Sequence, residues 1–233
     1  MTLNLTKNLH AYKVTSTPAN NLSMKLNMHI LVIFVVFFIS SCSSSLVYNL
    51  HDSRYDRLLE NIKLEPNLTA VRELRHVYIL TQRYKKNINE EKANHPQFQA
   101  LVHEDLNTTL LKAYVALEKN YTSLNGHYWA MATSFELGEK EKSKYHQSLL
   151  NILLEAIWAS GDGRSITTAF FSTSTREIHS FIELHGLDII SHTLIHRDEK
   201  SYDQVKIKDL KTGQLFDWYF DISAQKNVTI SIQ

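Results

Sequence analysis

Gly161-Asp162-Gly163-Arg164-Ser165 separates two kinds of sequence, and the segment that follows, Ile166-Thr167-Thr168-Ala169-Phe170, already shows the change. Upstream, apolar residues recur at i, i+3, i+4 and i+7; downstream they alternate and become β-branched or aromatic, so helices should precede strands. The expected fold class is α+β. A helical region over residues 52–160 leads into a small β-α-β-β-β, antiparallel-rich unit over 161–223, with 224–233 as a tail.

Working back from that turn, Glu139 to Ser160 predicts a long helix burying Tyr145, Leu149, Ile152, Leu153, Ala156 and Ile157. Gly126 and Gly138 bracket a shorter helix with Tyr128, Trp129, Met131 and Phe135. The pair resembles one tetratricopeptide hairpin, with no second copy at that repeat's period of about 34 residues. Before it, His95-Pro96 places proline at a first helical position, and Phe98, Leu101, Val102, Leu110, Tyr114 and Leu117 continue the stripe. Asn67 is the expected N-cap of a helix burying Val71, Leu74, Val77 and Tyr78 and ending near Arg83-Tyr84-Lys85-Lys86. The first helix opens at Asp52 or Ser53, buries Tyr55, Leu58, Leu59 and Ile62, and stops at Pro66.

Working forward, Ile166 to Thr173 reads as a strand, and Thr175 caps a short helix that runs to Leu184 and is ended by Gly186. Strands follow at Leu187 to His196, Ser201 to Asp209 and Gln214 to Ile222, joined by Asp198-Glu199-Lys200 and Lys211-Thr212-Gly213. On the last strand Phe216, Trp218, Phe220 and Ile222 share the face expected to pack on helices. Asp217, Tyr219 and Asp221 share the face expected to meet water.

These segments carry a family likeness. Gly161 to Phe170, then Leu184-His185-Gly186-Leu187, then Lys211-Thr212-Gly213-Gln214-Leu215-Phe216-Asp217-Trp218-Tyr219-Phe220-Asp221-Ile222 resemble the bacterial domain of unknown function 4919 family, with Leu74-Arg75 and Tyr78 upstream also fitting. The resemblance spans Tyr55 to Ile222. It implies a secreted protein or lipoprotein with a helical first half and brings no activity with it.

The N-terminal segment speaks to location. Ile30 to Ile39 is unbroken apolar sequence, too short to span a bilayer, which takes roughly 20 residues, but suited to the core of a signal peptide. Lys25 supplies the preceding charge. Ile39-Ser40-Ser41-Cys42 looks like the lipobox of bacterial lipoproteins, in which the cysteine is acylated and becomes the new N-terminus. The expected organisation is a disordered or untranslated stretch over 1–23, a signal peptide over 24–41, lipid attachment at Cys42 and a tether over 42–51. Ser43 in place of aspartate points to outer-membrane sorting, facing the periplasm or the cell surface. The six Asn-x-Ser/Thr tripeptides, beginning with Asn4, are outweighed by the lipobox.

Charge narrows the partners. Of 25 basic and 24 acidic residues, the first 41 positions hold Lys7, Lys13 and Lys25 and no acid, so the chain from Cys42 carries 22 against 24, a net of −2. A nucleic-acid partner normally meets a basic face, so none is expected. A lone cysteine excludes an intrachain disulfide.

The chain holds 12 histidines, and spacing decides what they can do. His192 and His196 share a strand face but lie about 13 Å apart at roughly 3.3 Å per residue, too far to chelate one ion. His179 and His185 do not share a helix face. No metal, cofactor or catalytic residue is therefore assigned. Gly161-Asp162-Gly163 reads as a helix-ending turn, and Asp217, Tyr219 and Asp221 read as a solvated strand face rather than an acid pair for sugar hydrolysis. The resulting expectation is a non-enzymatic envelope lipoprotein that meets an envelope protein or component through its helices or an exposed strand edge. Its alternative is a periplasmic hydrolase with a site assembled from dispersed residues. A deep polar pocket with a histidine beside a carboxylate points to the hydrolase. A shallow surface with exposed aromatics, such as Trp129 or Tyr219, points to the module.

Overall fold

The computed structural model describes residues 48–93 and 105–230. They belong to a compact unit, Leu46–Gln233; the other unit, Met1–Ser45, lies outside the described residues, and the signal-peptide and Cys42 readings lie there with it. Helix α1 runs over residues 48–64, so it starts upstream of the expected Asp52 or Ser53, and it buries Tyr55 and Ile62. Helix α2 (Leu68–Tyr78) opens on Asn67, whose side chain accepts the Ala70 N–H, and buries Val71, Leu74, Val77 and Tyr78.

That helix stops before the expected cations at Arg83 to Lys86. The reason is Thr81: its buried hydroxyl donates to the Tyr78 carbonyl and accepts the Tyr84 N–H, ending one helix and capping the next, α3 (Gln82–Ala93). A threonine hydroxyl that competes with the backbone ladder is well suited to this break.

Helix α4 (Leu106–Lys119) is capped by Asp105 and buries Thr109, Ala113 and Leu117, leaving Tyr114 on its flank. Phe98, Leu101 and Val102 lie outside the described residues. Helices α5 (Leu124–Glu136) and α6 (Lys140–Trp158) form the expected hairpin, which turns at Gly138 with φ 77°. Ser123 caps α5, which places Gly126 inside the first turn rather than before it. A Cβ at Gly126 would stand 2.7 Å from the Leu117 side chain, so glycine is what lets α5 approach α4 closely. Between those neighbours α5 buries Leu124, His127, Ala130, Thr133 and Ser134, while Phe135 is turned out to solvent.

After α6 the predicted strand from Ile166 to Thr173 is mostly loop. Ile166–Thr168 is a 3-10 turn and only Phe170–Phe171 (β1) pairs. The Asp162 carboxylate holds the loop by accepting the Arg164 N–H and the Thr168 hydroxyl. Gly163, at φ 66°, lies on the Phe170 ring where a Cβ would overlap it. Helix α7 (Thr175–Leu184) is capped by Ser174 rather than Thr175, and Gly186 follows it at φ 70°. Strands β2 (Leu187–Arg197), β3 (Lys200–Asp209) and β4 (Leu215–Asp221) complete a sheet of order β1-β4-β3-β2. Only the β1–β4 pairing is parallel. The expected tail is instead a helix, α8 (Ser223–Ile230).

One hydrophobic core joins the helical part to the sheet. It runs from Tyr55, Leu74 and Leu153 through Phe170 and Phe181 to Val205, Ile207 and Phe220, with Phe216 and Trp218 packed against it. No helix among the described residues is long and apolar enough to cross a membrane.

Candidate ligand-binding cleft

Among the described residues two wide clefts open between the helices. The first, of about 590 Å³, is a groove along α4, α5 and α6 lined by Trp129, Met131, Phe135 and Ser143. The second, of about 820 Å³, lies between α1, α3, α4 and α6 and is lined by Lys63, Arg83, Tyr114, Tyr121, Tyr145 and His146. Both fall in the size range of ligand sites. The second has the richer chemistry.

Its wall is built by long-range hydrogen bonds. The Tyr121 and Tyr145 hydroxyls meet at 2.6 Å, joining the α4–α5 loop to α6. Behind them, His127 Nε2 lies 2.8 Å from the Tyr121 carbonyl, and His127 Nδ1 lies 3.0 Å from His146 Nδ1. A carbonyl only accepts, so His127 carries its proton on Nε2 and its Nδ1 is a bare acceptor. His146 must therefore donate from Nδ1. That leaves His146 Nε2 as an unprotonated acceptor, and no hydrogen bond among the described residues reaches it.

Burial holds these groups neutral. It pushes His127 down to about 3, with the neighbouring His146 lowering it further and the Tyr121 carbonyl opposing. It also pushes His146 down to about 4 and raises the Tyr121 hydroxyl well above the ordinary tyrosine range, with the Tyr145 hydrogen bond adding to the rise. Charges stand at the rim, mostly in pairs: Lys63 with Glu60, Arg83 with Asp56, Lys142 with Glu139 and Glu141 with Lys144. Glu118, which also lines the cleft, makes no ion pair among the described residues.

The buried His127–His146 pair sets a pH dependence. In the unfolded chain they take up protons below about pH 6.5, whereas in the fold they stay neutral until far lower pH. Their contribution is complete above about pH 6.5 and declines as pH falls toward their folded values. His127 alone should cost about 2 kcal/mol between pH 7 and pH 5, with His146 acting in the same direction. His192, raised by its hydrogen bond to Asp203, opposes the trend, but it is partly exposed and screened. Urea midpoints should fall on acidification, and the slope should be shallower in His127→Gln. Equal midpoints at pH 7 and pH 5 would contradict the neutral pair.

Elsewhere the histidines form separate pairs. His192 Nδ1 lies 2.7 Å from the Asp203 carboxylate, with its ring stacked on His179, while His196 bonds Ser201 a few rungs away. His185 accepts the Trp158 indole N–H. Among the described residues no group of three or more His, Cys, Asp or Glu is placed to hold a metal. Asp221 pairs with Lys200, and Tyr219 is half-buried on the same strand.

The model of the domain of unknown function (DUF4919) matches residues 45–230, most of the chain. The chain belongs to the DUF4919 family. No curated protein and no solved structure matches it. The family match brings no assigned chemistry, so the site of this DUF4919 protein rests on its own geometry.

The His127–His146 pair is invisible to spacing within one element, because its members stand on different helices. The usable signal lay in the α5–α6 hairpin. In this DUF4919 fold Ser143 reaches the Met131 carbonyl, and one turn further from the hairpin bend on each helix His146 reaches His127.

Proposed function

We propose that this DUF4919 protein is a lipid-anchored envelope lipoprotein that acts as a binding module, held by acylated Cys42 in the outer membrane and facing the periplasm or the cell surface. The anchor is supported by the lysine, short apolar run and Ile39-Ser40-Ser41-Cys42 order. One acyl chain binds a membrane marginally and two or more bind stably, so a fully modified cysteine suffices.

The binding role is supported chiefly by the cleft between α1, α3, α4 and α6. Its tyrosine and histidine side chains are tied to one another and need little ordering on association, which lowers the cost of binding. The expected partner is an envelope component rather than a nucleic acid, in line with the net −2 of the chain from Cys42.

A fatty-acid probe fed to cells should label the wild-type protein. Cys42→Ala should abolish the label and move nearly all of the protein to the soluble fraction. An unlabelled wild type, with fractionation unchanged by Cys42→Ala, sinks the anchor. The alternative, a periplasmic hydrolase, draws on the His192–Asp203 pair, a histidine beside a carboxylate at the edge strand β2. Substrate turnover abolished by His192→Gln would favour it.

A further inference from the structure

The geometry points to a carbohydrate ligand in the α1/α3/α4/α6 cleft, a neutral hydroxyl-rich ring sugar laid against Tyr114, Tyr121 and Tyr145. This deepens the binding-module reading and rests on it. His146 Nε2 and the exposed Glu118 carboxylate line the cleft as acceptors that a donor on the ligand can meet in place of water.

The tyrosine pair offers the reverse. Of the Tyr121 and Tyr145 hydroxyls, one donates to the other, and the second keeps an O–H to give outward. An ammonium ligand has no acceptor for that O–H. A carboxylate, or a phosphate in its fully ionised form, has no donor for His146 or Glu118. A sugar hydroxyl is both donor and acceptor, and neighbouring hydroxyls on one ring can share a single carboxylate.

The remaining features fit the same ligand. Lys63, Arg83 and Lys142 are already engaged by Glu60, Asp56 and Glu139, so the cleft does not present a concentrated positive field to an anion. Tyr114 is 36% exposed and its ring lies 5.7 Å from that of His146, so an aromatic face is available beside the acceptor. Aromatic faces carry a negative quadrupole, which suits the weakly positive C–H face of a pyranose. The cleft's volume of about 820 Å³ is ample for more than one ring.

The test is calorimetric titration of the full chain with maltotriose, triacetylchitotriose, tetramethylammonium and acetate. At least one sugar should bind, and Tyr114→Ala and His146→Phe should each weaken it about tenfold or more. Trp129→Ala, in the other groove, should leave the affinity unchanged. If neither sugar binds but tetramethylammonium or acetate does, and that binding is lost in Tyr114→Ala, the carbohydrate assignment is overturned while the cleft stands as a binding site. If sugar binding is indifferent to both Tyr114→Ala and His146→Phe, or if no probe binds, the cleft reading itself fails. Because Tyr114 is at the surface, its variant reports on the cleft even if His146→Phe does not fold.

Discussion

Arg75→Ala should lower the unfolding free energy by about 3–5 kcal/mol, the usual cost of leaving one member of a buried ion pair without its partner. Arg75 is only 2% exposed and Glu177 7%. The guanidinium grips Glu177 with Nε at 3.2 Å and Nη2 at 3.0 Å, and it also donates to the Phe171 and Ala156 carbonyls. One side chain on α2 thereby joins α6, β1 and α7. Glu177 additionally accepts the Thr173 N–H at 2.7 Å, which orders the loop before α7.

Without Arg75, the Glu177 carboxylate keeps the Thr173 N–H but loses its counter-charge and two donors, and the Phe171 and Ala156 carbonyls each lose a guanidinium donor. The melting temperature should drop by roughly 6–20 °C, given about 2–4 °C per kcal/mol for a chain of this size. Replacing both partners by apolar residues, Arg75→Met with Glu177→Leu, should cost much less than either single change, because no buried charge is stranded. Guanidinium melts of the two singles and the double decide the matter. A single-variant loss below about 1 kcal/mol would show that the pair is not the buried bridge described.

Phe170→Ala should cost a further class of stability, about 3–5 kcal/mol, through the cavity it leaves. Phe170 is fully buried, and its ring stands 5.1 Å from Trp158, 5.4 Å from Phe181 and 5.5 Å from both Trp218 and Phe220. Gly163 packs so closely on the ring that a Cβ there would overlap it. These aromatics cannot collapse into the vacancy, because Trp158 is held by His185 and Phe220 lies in a paired strand.

Phe170→Leu keeps most of the volume and should lose only about 1–2 kcal/mol. Phe135→Ala, at a position 65% exposed, should stay within about 0.5 kcal/mol of wild type. Near-ultraviolet circular dichroism, which senses Trp158 and Trp218, should flatten in Phe170→Ala alone. A loss for Phe170→Ala no larger than that for Phe135→Ala would refute the aromatic core.

Much of the architecture was legible because it depends on local patterns. The period of Val71, Leu74, Val77 and Tyr78 reported a half-buried helix, and the alternation of Phe216, Trp218 and Phe220 reported a strand packed on one face. Asn67 as a cap and Gly186 as a stop were equally local. The misread boundaries share a cause. Thr81 splits one apolar period into two helices by a hydroxyl that bonds backward and forward, and composition alone does not show which way a hydroxyl turns. Ile166 to Thr173 has strand composition, yet Asp162 and Gly163 pull it into a loop against Phe170.

By itself the sequence determined the α+β class, the passage from helices to a sheet and the apolar faces that pack inward, since each follows from short-range periodicity and turn chemistry, and its motifs gave the family; it did not show that Asp217 and Tyr219, on the strand face expected to meet water, are half-buried. Only the tertiary structure decided which distant polar groups meet. Arg75 with Glu177, His127 with His146 and Tyr121 with Tyr145 come from different elements, and their pairing is set by helix packing distances and hairpin register. The protonation of His146, and with it the acceptor it offers to the cleft, follows from that packing, because burial and one neighbouring carbonyl leave His127 a single tautomer.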